Sequence, residues 1–346
     1  MMRRALALAE RGLYSTTPNP RVGCVITRDQ RIVGEGWHEK AGAPHAEALA
    51  LAAAGSAARG ATAYVTLEPC NHQGRTPPCA DALAAAGVAR AVAAMRDPNP
   101  QAAHGAQRLA AAGVRFEHGL MEEEARELNI GFVSRMTRGR PWVRMKVAAT
   151  LDGRTALANG KSQWITGAEA RKDGHRWRAR ACAVLTGIGT VRADDPRLTV
   201  REVETPRQPL RVLVDSRLET PSGARILEGG NTVIFFGNTA NKPPKGVDAV
   251  ALPNAQGKVD LQAMLAELAR RGVNELHVEG GFKLNASLMR ERCVDELLIY
   301  LAPSVLGDAA QGMFDLAEMT SLDERVRVTI RSVDRVGEDL RIVARL

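Results

Sequence analysis

No stretch of this 346-residue chain approaches the ~18 uninterrupted apolar residues that a membrane span needs. The basic start Met1-Met2-Arg3-Arg4 leads into Ala-Leu-Ala-Leu-Ala, but Glu10 and Arg11 close that run too early for a secretion signal. A cytoplasmic location without membrane contact is therefore expected. Aromatic residues make up only 4% of the chain, which leaves few platforms for stacking bases. The arginines are scattered rather than gathered into a stripe, and the two features together argue against a nucleic-acid partner. Cysteine is scarce and odd in number, five residues in all, which argues against a disulfide framework. What is present is ordinary for a globular protein: 45% hydrophobic and 25% charged residues exclude a disordered or collagen-like chain. Lys and Arg total 47 against 39 Asp and Glu, a balance of +8 that favours anionic partners, small phosphorylated ligands among them.

Strand-like and helix-like segments alternate throughout, so the expected class is α/β. Val22–Thr27 and Arg31–Gly36 read as a hairpin, followed by a helix at His45–Ala54, a strand at Thr62–Leu67 and a helix at Ala80–Ala86. A strand at Val88–Met95, a helix at Gln101–Ala112 and one continuous helix over Met121–Arg138 complete this half. Gly139 and Pro141 then break the pattern, and a domain boundary is expected there, giving domains 1–139 and 140–346. The second half has an extended run at Trp142–Thr150 and strands near Val184–Gly187, Arg211–Asp215, Thr232–Phe236, Glu275–Glu279 and Glu296–Leu301. Helices near Ala168–Ala181, Leu261–Arg271 and Phe282–Arg292 are interleaved, and two late strands are expected at Arg325–Ser332 and Leu340–Ala344.

The sharpest chemical signal is His45-Ala46-Glu47 followed by Pro69-Cys70 and Cys79. One imidazole and two thiolates make a three-ligand zinc set that leaves the fourth tetrahedral position for water, as a catalytic site requires. Glu47, two residues beyond His45, is then a spare carboxylate for proton transfer. Zinc deaminases carry this H-x-E…P-C-x-x-C pattern, although here the cysteines stand further apart. A purely structural zinc would recruit His72 as a fourth ligand. A nucleic-acid or nucleoside deaminase fused to an unrelated reductase-like domain is the alternative, and it predicts the short cysteine spacing.

Thr17-Pro18-Asn19-Pro20, His45-Ala46-Glu47, the segment Thr66–Cys79 with His72-Gln73-Gly74-Arg75-Thr76-Pro77-Pro78 between its cysteines, and Asp97-Pro98-Asn99-Pro100 resemble the bifunctional riboflavin-biosynthesis deaminase/reductase family. The second half resembles the reductase domain of that family. The resemblance there rests on Lys146-x-Ala-x-Thr-Leu-Asp-Gly-Arg154, Ser162-Gln-Trp-Ile-Thr166, Arg178, Thr190, Asp194-Asp-Pro-x-Leu-Thr-Val-Arg201, Asp215-Ser216 and Glu279-Gly-Gly281. It implies a cytidine-deaminase-like α/β/α sandwich around a mixed sheet, then a dihydrofolate-reductase-like domain with a largely parallel sheet. It further implies zinc and NADPH as cofactors, a phosphorylated pyrimidine as substrate and a homodimer formed through the reductase domain.

The implied reactions are hydrolytic loss of the pyrimidine 2-amino group, then hydride delivery to C1′ of the opened ribose. In the first, zinc makes hydroxide available near neutral pH and Glu47 carries the proton to the departing ammonia. Asn19 and His72 would contact the pyrimidine, and Arg75 its phosphate. In the second, Ser162, Arg178, Leu198, Arg201 and Glu279 would hold the substrate, with the arginines on its phosphate. Ala148, Trp164, Thr190, Asp194, Ser216 and the turn Gly281, Phe282, Lys283, Leu284, Asn285, Ala286 and Ser287 would hold NADPH, while Lys146 and Glu279 are the candidate polarising or protonating groups. The residues themselves supply weaker hints. Gly187-Ile-Gly189-Thr-Val-Arg192 is an incomplete dinucleotide fingerprint, and Val278-Glu279-Gly280-Gly281 before a helix suits a pyrophosphate or merely a tight turn. Asp195 reads equally as a turn cap, and Cys24, Cys182 and Cys293 as core.

Overall fold

The computed structural model describes residues 1–72 and 77–346 and divides by internal contacts into two units, Met1–Gly139 and Arg140–Leu346. The first unit runs α1 (Met2–Glu10), β1 (Gly23–Arg28), β2 (Arg31–Trp37), α2 (Ala46–Ala54), β3 (Thr62–Leu67), α3 (Cys79–Ala85), β4 (Arg90–Met95), α4 (Gly105–Ala111), β5 (Arg115–His118), α5 (Glu122–Leu128) and α6 (Ile130–Arg138). Asp29 and Gln30, at φ 50° and 62°, close the β1–β2 hairpin, because two left-handed residues give a turn whose twist matches that of the strands. The sheet order is β2-β1-β3-β4-β5. Strands β2, β1 and β3 pair antiparallel, and β3, β4 and β5 pair parallel. This is the mixed sheet of the expected sandwich, with Val25, Ile26, Val65, Leu83, Met95 and Leu109 in its core.

Two helical expectations require correction. The Gln101–Ala112 helix is only Gly105–Ala111, since the side chains of Asp97 and Asn99 accept from the amides of Asn99 and Gln101 and hold that segment as turns. The continuous helix over Met121–Arg138 is broken at Asn129. Its amide side chain pairs with both main-chain groups of Arg21, at 2.8 and 2.9 Å, so tertiary bonding outweighs helical continuation.

Glycine in β2 sets how closely α2 approaches the sheet. A Cβ on Gly36 would lie 2.4 Å from the Ala46 carbonyl oxygen and 2.7 Å from the Ala50 nitrogen. Gly36→Ala is therefore expected to push α2 outward, cost about 1–3 kcal/mol of stability and weaken zinc retention, because His45 and Glu47 ride on that helix. Thermal melts and zinc content per chain check this; an unchanged melt with full zinc would contradict it.

The second unit comprises β6 (Trp142–Thr150), β7 (Arg154–Ala156), α7 (Ala168–Arg180), β8 (Ala183–Gly187), α8 (Ile188–Asp194), β9 (Leu210–Val214), β10 (Thr232–Phe236) and β11 (Asp248–Ala251). It continues with α9 (Leu261–Arg270), β12 (Glu275–Val278), α10 (Phe282–Arg290), β13 (Glu296–Ala302), β14 (Gln311–Gly312), β15 (Thr329–Val336) and β16 (Asp339–Arg345). The large sheet has the order β11-β10-β9-β8-β12-β6-β13-β16-β15. It is parallel from β11 to β13 and closes with the antiparallel β16 and β15. The first late strand was expected at Arg325–Ser332 and lies instead at Thr329–Val336. The turn before β16, with Gly337 at φ 64°, sets the pairing register, and the strand extends back from it.

The apolar core of this sheet contains a buried ionic layer. Arg144, 2% exposed, pairs with Glu296 and at 3.1 Å with Glu275, and its guanidinium lies 4.4 Å from the Trp177 ring centroid. Arg180 shares Glu275 at 2.8 Å. Losing one member would strand an uncompensated buried charge, so the layer ties β12, β6 and β13 together.

Candidate active sites

In the first unit, three chain segments converge at the carboxyl ends of β3 and β4. His45 is the N-cap of α2 with extended backbone, Cys70 follows β3, and Cys79 opens α3. His45 Nδ1 lies 3.3 Å from Cys79 Sγ and 3.6 Å from Cys70 Sγ, and the three donor atoms fall within 4.8 Å of one another. One imidazole and two sulfurs at that spacing fit zinc with an open fourth position. Among the described residues the cluster consists of these three; His72 is exposed and outside it, so a fourth protein ligand is not found.

The Cys70 thiol is pulled down to about 4, chiefly by the Cys79 thiol and also by His45 and the Cys79 amide hydrogen-bonding to its sulfur, while Cys79 is pushed up. Glu47, 3% exposed, is raised to about 7 by burial and then by the Cys70 charge. A carboxyl poised near neutrality both accepts and returns a proton.

His45, Glu47 and Cys70 face a cavity of about 500 Å³ that Asn19, His72, Asp97, Phe132 and Arg135 also line. His38 is a residue that sequence reasoning missed. Its Nδ1 is 3.1 Å from the Pro44 carbonyl, which can only accept, so Nδ1 carries the proton and Nε2 accepts from Asn19 Nδ2 at 3.0 Å. Asn19 thereby presents its carbonyl oxygen to the cavity. The available signal was a histidine at the end of a half-buried strand, seven residues before His45. Glu68, also missed, is buried and accepts from the Ala106 amide at 2.9 Å, which fixes the turn beside Cys70. Arg75 lies outside the described residues.

In the second unit, β8 and β12 are parallel neighbours, so the turns leaving their carboxyl ends lie side by side. Gly187 caps α8 and Gly281 caps α10, and a Cβ on Gly281 would lie 3.6 Å from Thr190 Oγ1. The incomplete fingerprint and the Glu-Gly-Gly turn thus form one wall, at the crevice where parallel sheets take ligands. That wall belongs to a cavity of about 770 Å³ also lined by Ala148, Asp194, Ser216, Phe282, Lys283, Leu284, Asn285 and Ser287. Ala286 is not among its lining residues and is fully buried.

A second cavity, of about 670 Å³, is lined by Trp164, Arg178, Leu198 and Arg201. Lys146, Ala148, Ser162, Thr190, Asp194 and Glu279 line both, so the two spaces meet at those side chains. Arg178 forks onto both oxygens of Glu279, and His277 Nε2 lies 3.4 Å from one of them. Against the opposing effect of burial, Arg178 and His277 hold the Glu279 carboxyl well below the usual range. Burial pushes the Lys146 ammonium down, Glu279 opposes this and Arg178 reinforces it. Trp164 is 71% exposed, with the Arg171 guanidinium 4.8 Å from its ring centroid. Asp195 is the left-handed C-cap of α8 and accepts from the Arg225 amide at 2.8 Å, which is a turn-building position.

A three-donor zinc cluster with a buried glutamate, on the same chain as a glycine-lined crevice meeting a cationic pocket, defines a zinc aminohydrolase joined to a nicotinamide-dependent reductase. Residues 1–95 match the cytidine and deoxycytidylate deaminase zinc-binding region, and residues 141–342 match the RibD C-terminal domain. The riboflavin biosynthesis protein RibD of Escherichia coli is 46% identical, with 98% of this chain and 96% of that protein covered. That of Aquifex aeolicus is 42% identical over 98% and 96%. Among solved structures, RibD of Acinetobacter baumannii superposes with a TM-score of 0.93 at 43% identity, covering 99% of this chain and 97% of that one. A deaminase/reductase from Thermotoga maritima gives 0.90 at 33% identity with the same coverage. The chain belongs to the RibD family: it is a bifunctional deaminase/reductase of riboflavin biosynthesis that uses zinc and NADPH. No helix among the described residues is long and apolar enough to cross a membrane.

Proposed function

We propose that residues 1–139 deaminate 2,5-diamino-6-ribosylamino-4(3H)-pyrimidinone 5′-phosphate and that residues 140–346 reduce the resulting 5-amino-6-(5-phosphoribosylamino)uracil to its ribityl form. The observation that carries this reading is that Glu47 lines, together with His45 and Cys70 of the three-donor cluster, a cavity that Asn19 and His72 also line. His45, Cys70 and Cys79 would hold the zinc, which when bound supplies a Lewis acid that generates a nucleophile from water at neutral pH. Glu47 takes the proton of the attacking water on its carboxylate and returns it to the 2-amino nitrogen, so that water enters and ammonia leaves with the pyrimidine carbon unchanged in oxidation state. Asn19, fixed by His38, accepts from the pyrimidine ring, and His72 contacts it.

In the second unit the glycine turns with Ala148, Thr190, Asp194 and Ser216 hold the dinucleotide, which supplies the hydride. Ser162, Leu198 and Glu279 orient the sugar-linked pyrimidine, and Arg178 and Arg201 hold its phosphate. Lys146, beside Glu279 where the two cavities meet, polarises the C1′ centre and delivers the proton that balances the hydride. A homodimer through the second unit is supported by Ile330 and Val333, exposed on the edge strand β15. A cytoplasmic location accords with the use of NADPH, a cofactor that cells make and regenerate internally.

Mass spectrometry of the diaminopyrimidinone ribosylamino phosphate incubated with zinc-loaded enzyme tests the assignment. The expected record is replacement of NH by O without NADPH, and a further gain of two hydrogens only with it. Unchanged substrate in the presence of stoichiometric zinc would refute it.

A further inference from the structure

Residues 198–201, at the cationic end of the second cavity, belong to no strand or helix, and Leu198 sits at φ 51°. Main-chain groups in such a segment need partners from elsewhere. Gln208 meets both main-chain groups of Val200, at 2.8 and 3.1 Å, and Arg178 Nη1 donates to the Thr199 carbonyl at 3.0 Å. The remaining tie comes from His175, whose Nδ1 accepts the Arg201 N–H at 3.2 Å.

His175 lies on α7 three residues before Arg178, hence on the same helix face. It is 7% exposed yet lines the cavity, and among the described residues Nε2 has no hydrogen-bond partner. An Nδ1 that accepts must be unprotonated, so the ring's proton is on Nε2. Burial and the charges of Arg178 and Arg201 hold its pKa down to about 4, and the imidazole stays neutral at working pH.

We propose that His175 is a positioning residue of the reductase substrate site: Nδ1 pins the main chain that carries Arg201, and Nε2–H is a neutral donor available to an oxygen of the bound phosphate. This rests on the reading of that cavity as the seat of a phosphorylated substrate. A neutral donor adds a hydrogen bond without adding repulsion among Arg178, Arg201 and Lys146, which already crowd the site with positive charge. The ring also sets where the Arg201 fork can reach, because among the described residues that side chain bonds within its own turn, to Thr199 at 3.0 Å, while His175 holds the main chain behind it.

The test uses the intact zinc-loaded enzyme and its His175→Phe, His175→Asn and His175→Gln variants. Steady-state reduction of 5-amino-6-(5-phosphoribosylamino)uracil gives kcat and both KM values, and inorganic phosphate serves as a competing probe. His175→Phe, which removes both ring functions, is expected to raise the substrate KM and the phosphate Ki together by roughly ten- to a hundredfold, with kcat and the NADPH KM within about threefold. His175→Asn, whose side-chain oxygen replaces the Nδ1 acceptor, is expected to recover about half of that loss on a logarithmic scale.

An unchanged substrate KM in His175→Phe overturns the proposal. So does an equal loss in kcat and NADPH binding, or an asparagine variant no better than the phenylalanine one. Should His175→Phe fail to fold, His175→Asn and His175→Gln carry the test, since each keeps one function; wild-type KM and Ki in both would refute it. Arg201→Ala separates the two levels of inference. If it too leaves KM and Ki unchanged, the phosphate reading of the cavity fails; if it alone raises them, only the role of His175 does.

Discussion

Glu47→Gln is expected to lower the deamination rate by about 10²–10⁴-fold while leaving zinc content and the reduction of supplied deaminated substrate intact. Glutamine has nearly the same shape, so the packing of a side chain that is 3% exposed is preserved. What it lacks is a site that can gain and release a proton, the property that burial and the neighbouring Cys70 tune to about 7 in the carboxyl. Ammonia release, zinc stoichiometry and NADPH oxidation, measured on one preparation, separate the possibilities. Deamination within threefold of the parent would remove Glu47 from the mechanism, and simultaneous loss of both activities would contradict independent sites.

Arg178→Met acts on the other half. Arg178 and Glu279 are only 14% and 16% exposed at their side chains, and the variant leaves the carboxylate without its forked partner. Breaking such a pair costs ~3 kcal/mol or more of stability, and loss of the proposed phosphate contact is expected to lower kcat/KM for reduction roughly a hundredfold. A pH signature accompanies this. In the parent, the folded-state carboxyl of Glu279 lies below its unfolded value, so its contribution to stability is present above that unfolded value and is lost as the pH falls through the folded one. Without Arg178, burial raises the group, and residual reductase activity is expected to climb with pH across the acid-to-neutral range while the parent stays flat. A variant whose pH profile and substrate KM match the parent would show that the pair is a fold element only.

The donor set of the first site was legible because it is local. His45 and Glu47 sit two residues apart at a helix start, and Cys70 and Cys79 bracket one loop. Strands were legible where alternation or apolar runs coincide with burial, as at Thr62–Leu67 and Thr232–Phe236. The helix over Met121–Arg138 was misread at Asn129 because the competing bond comes from Arg21, about a hundred residues away, and nothing in the local pattern encodes it. His38 and His175 were illegible for the same reason. Their significance lies in which ring nitrogen is already engaged, by the Pro44 carbonyl in one and the Arg201 amide in the other.

Residue types, their spacing and the alternation of elements carried the α/β class and pointed to the candidate zinc set with its neighbouring carboxylate, because each is a relation between near neighbours along the chain. That the turns after β8 and β12 share one wall, that Arg178 forks onto Glu279 and that two cavities meet at Lys146 emerged with the folded chain. Strand order brings those groups together across about a hundred residues, and strand order is a property of which edges pair in space, whereas a motif is a property of neighbours along the chain.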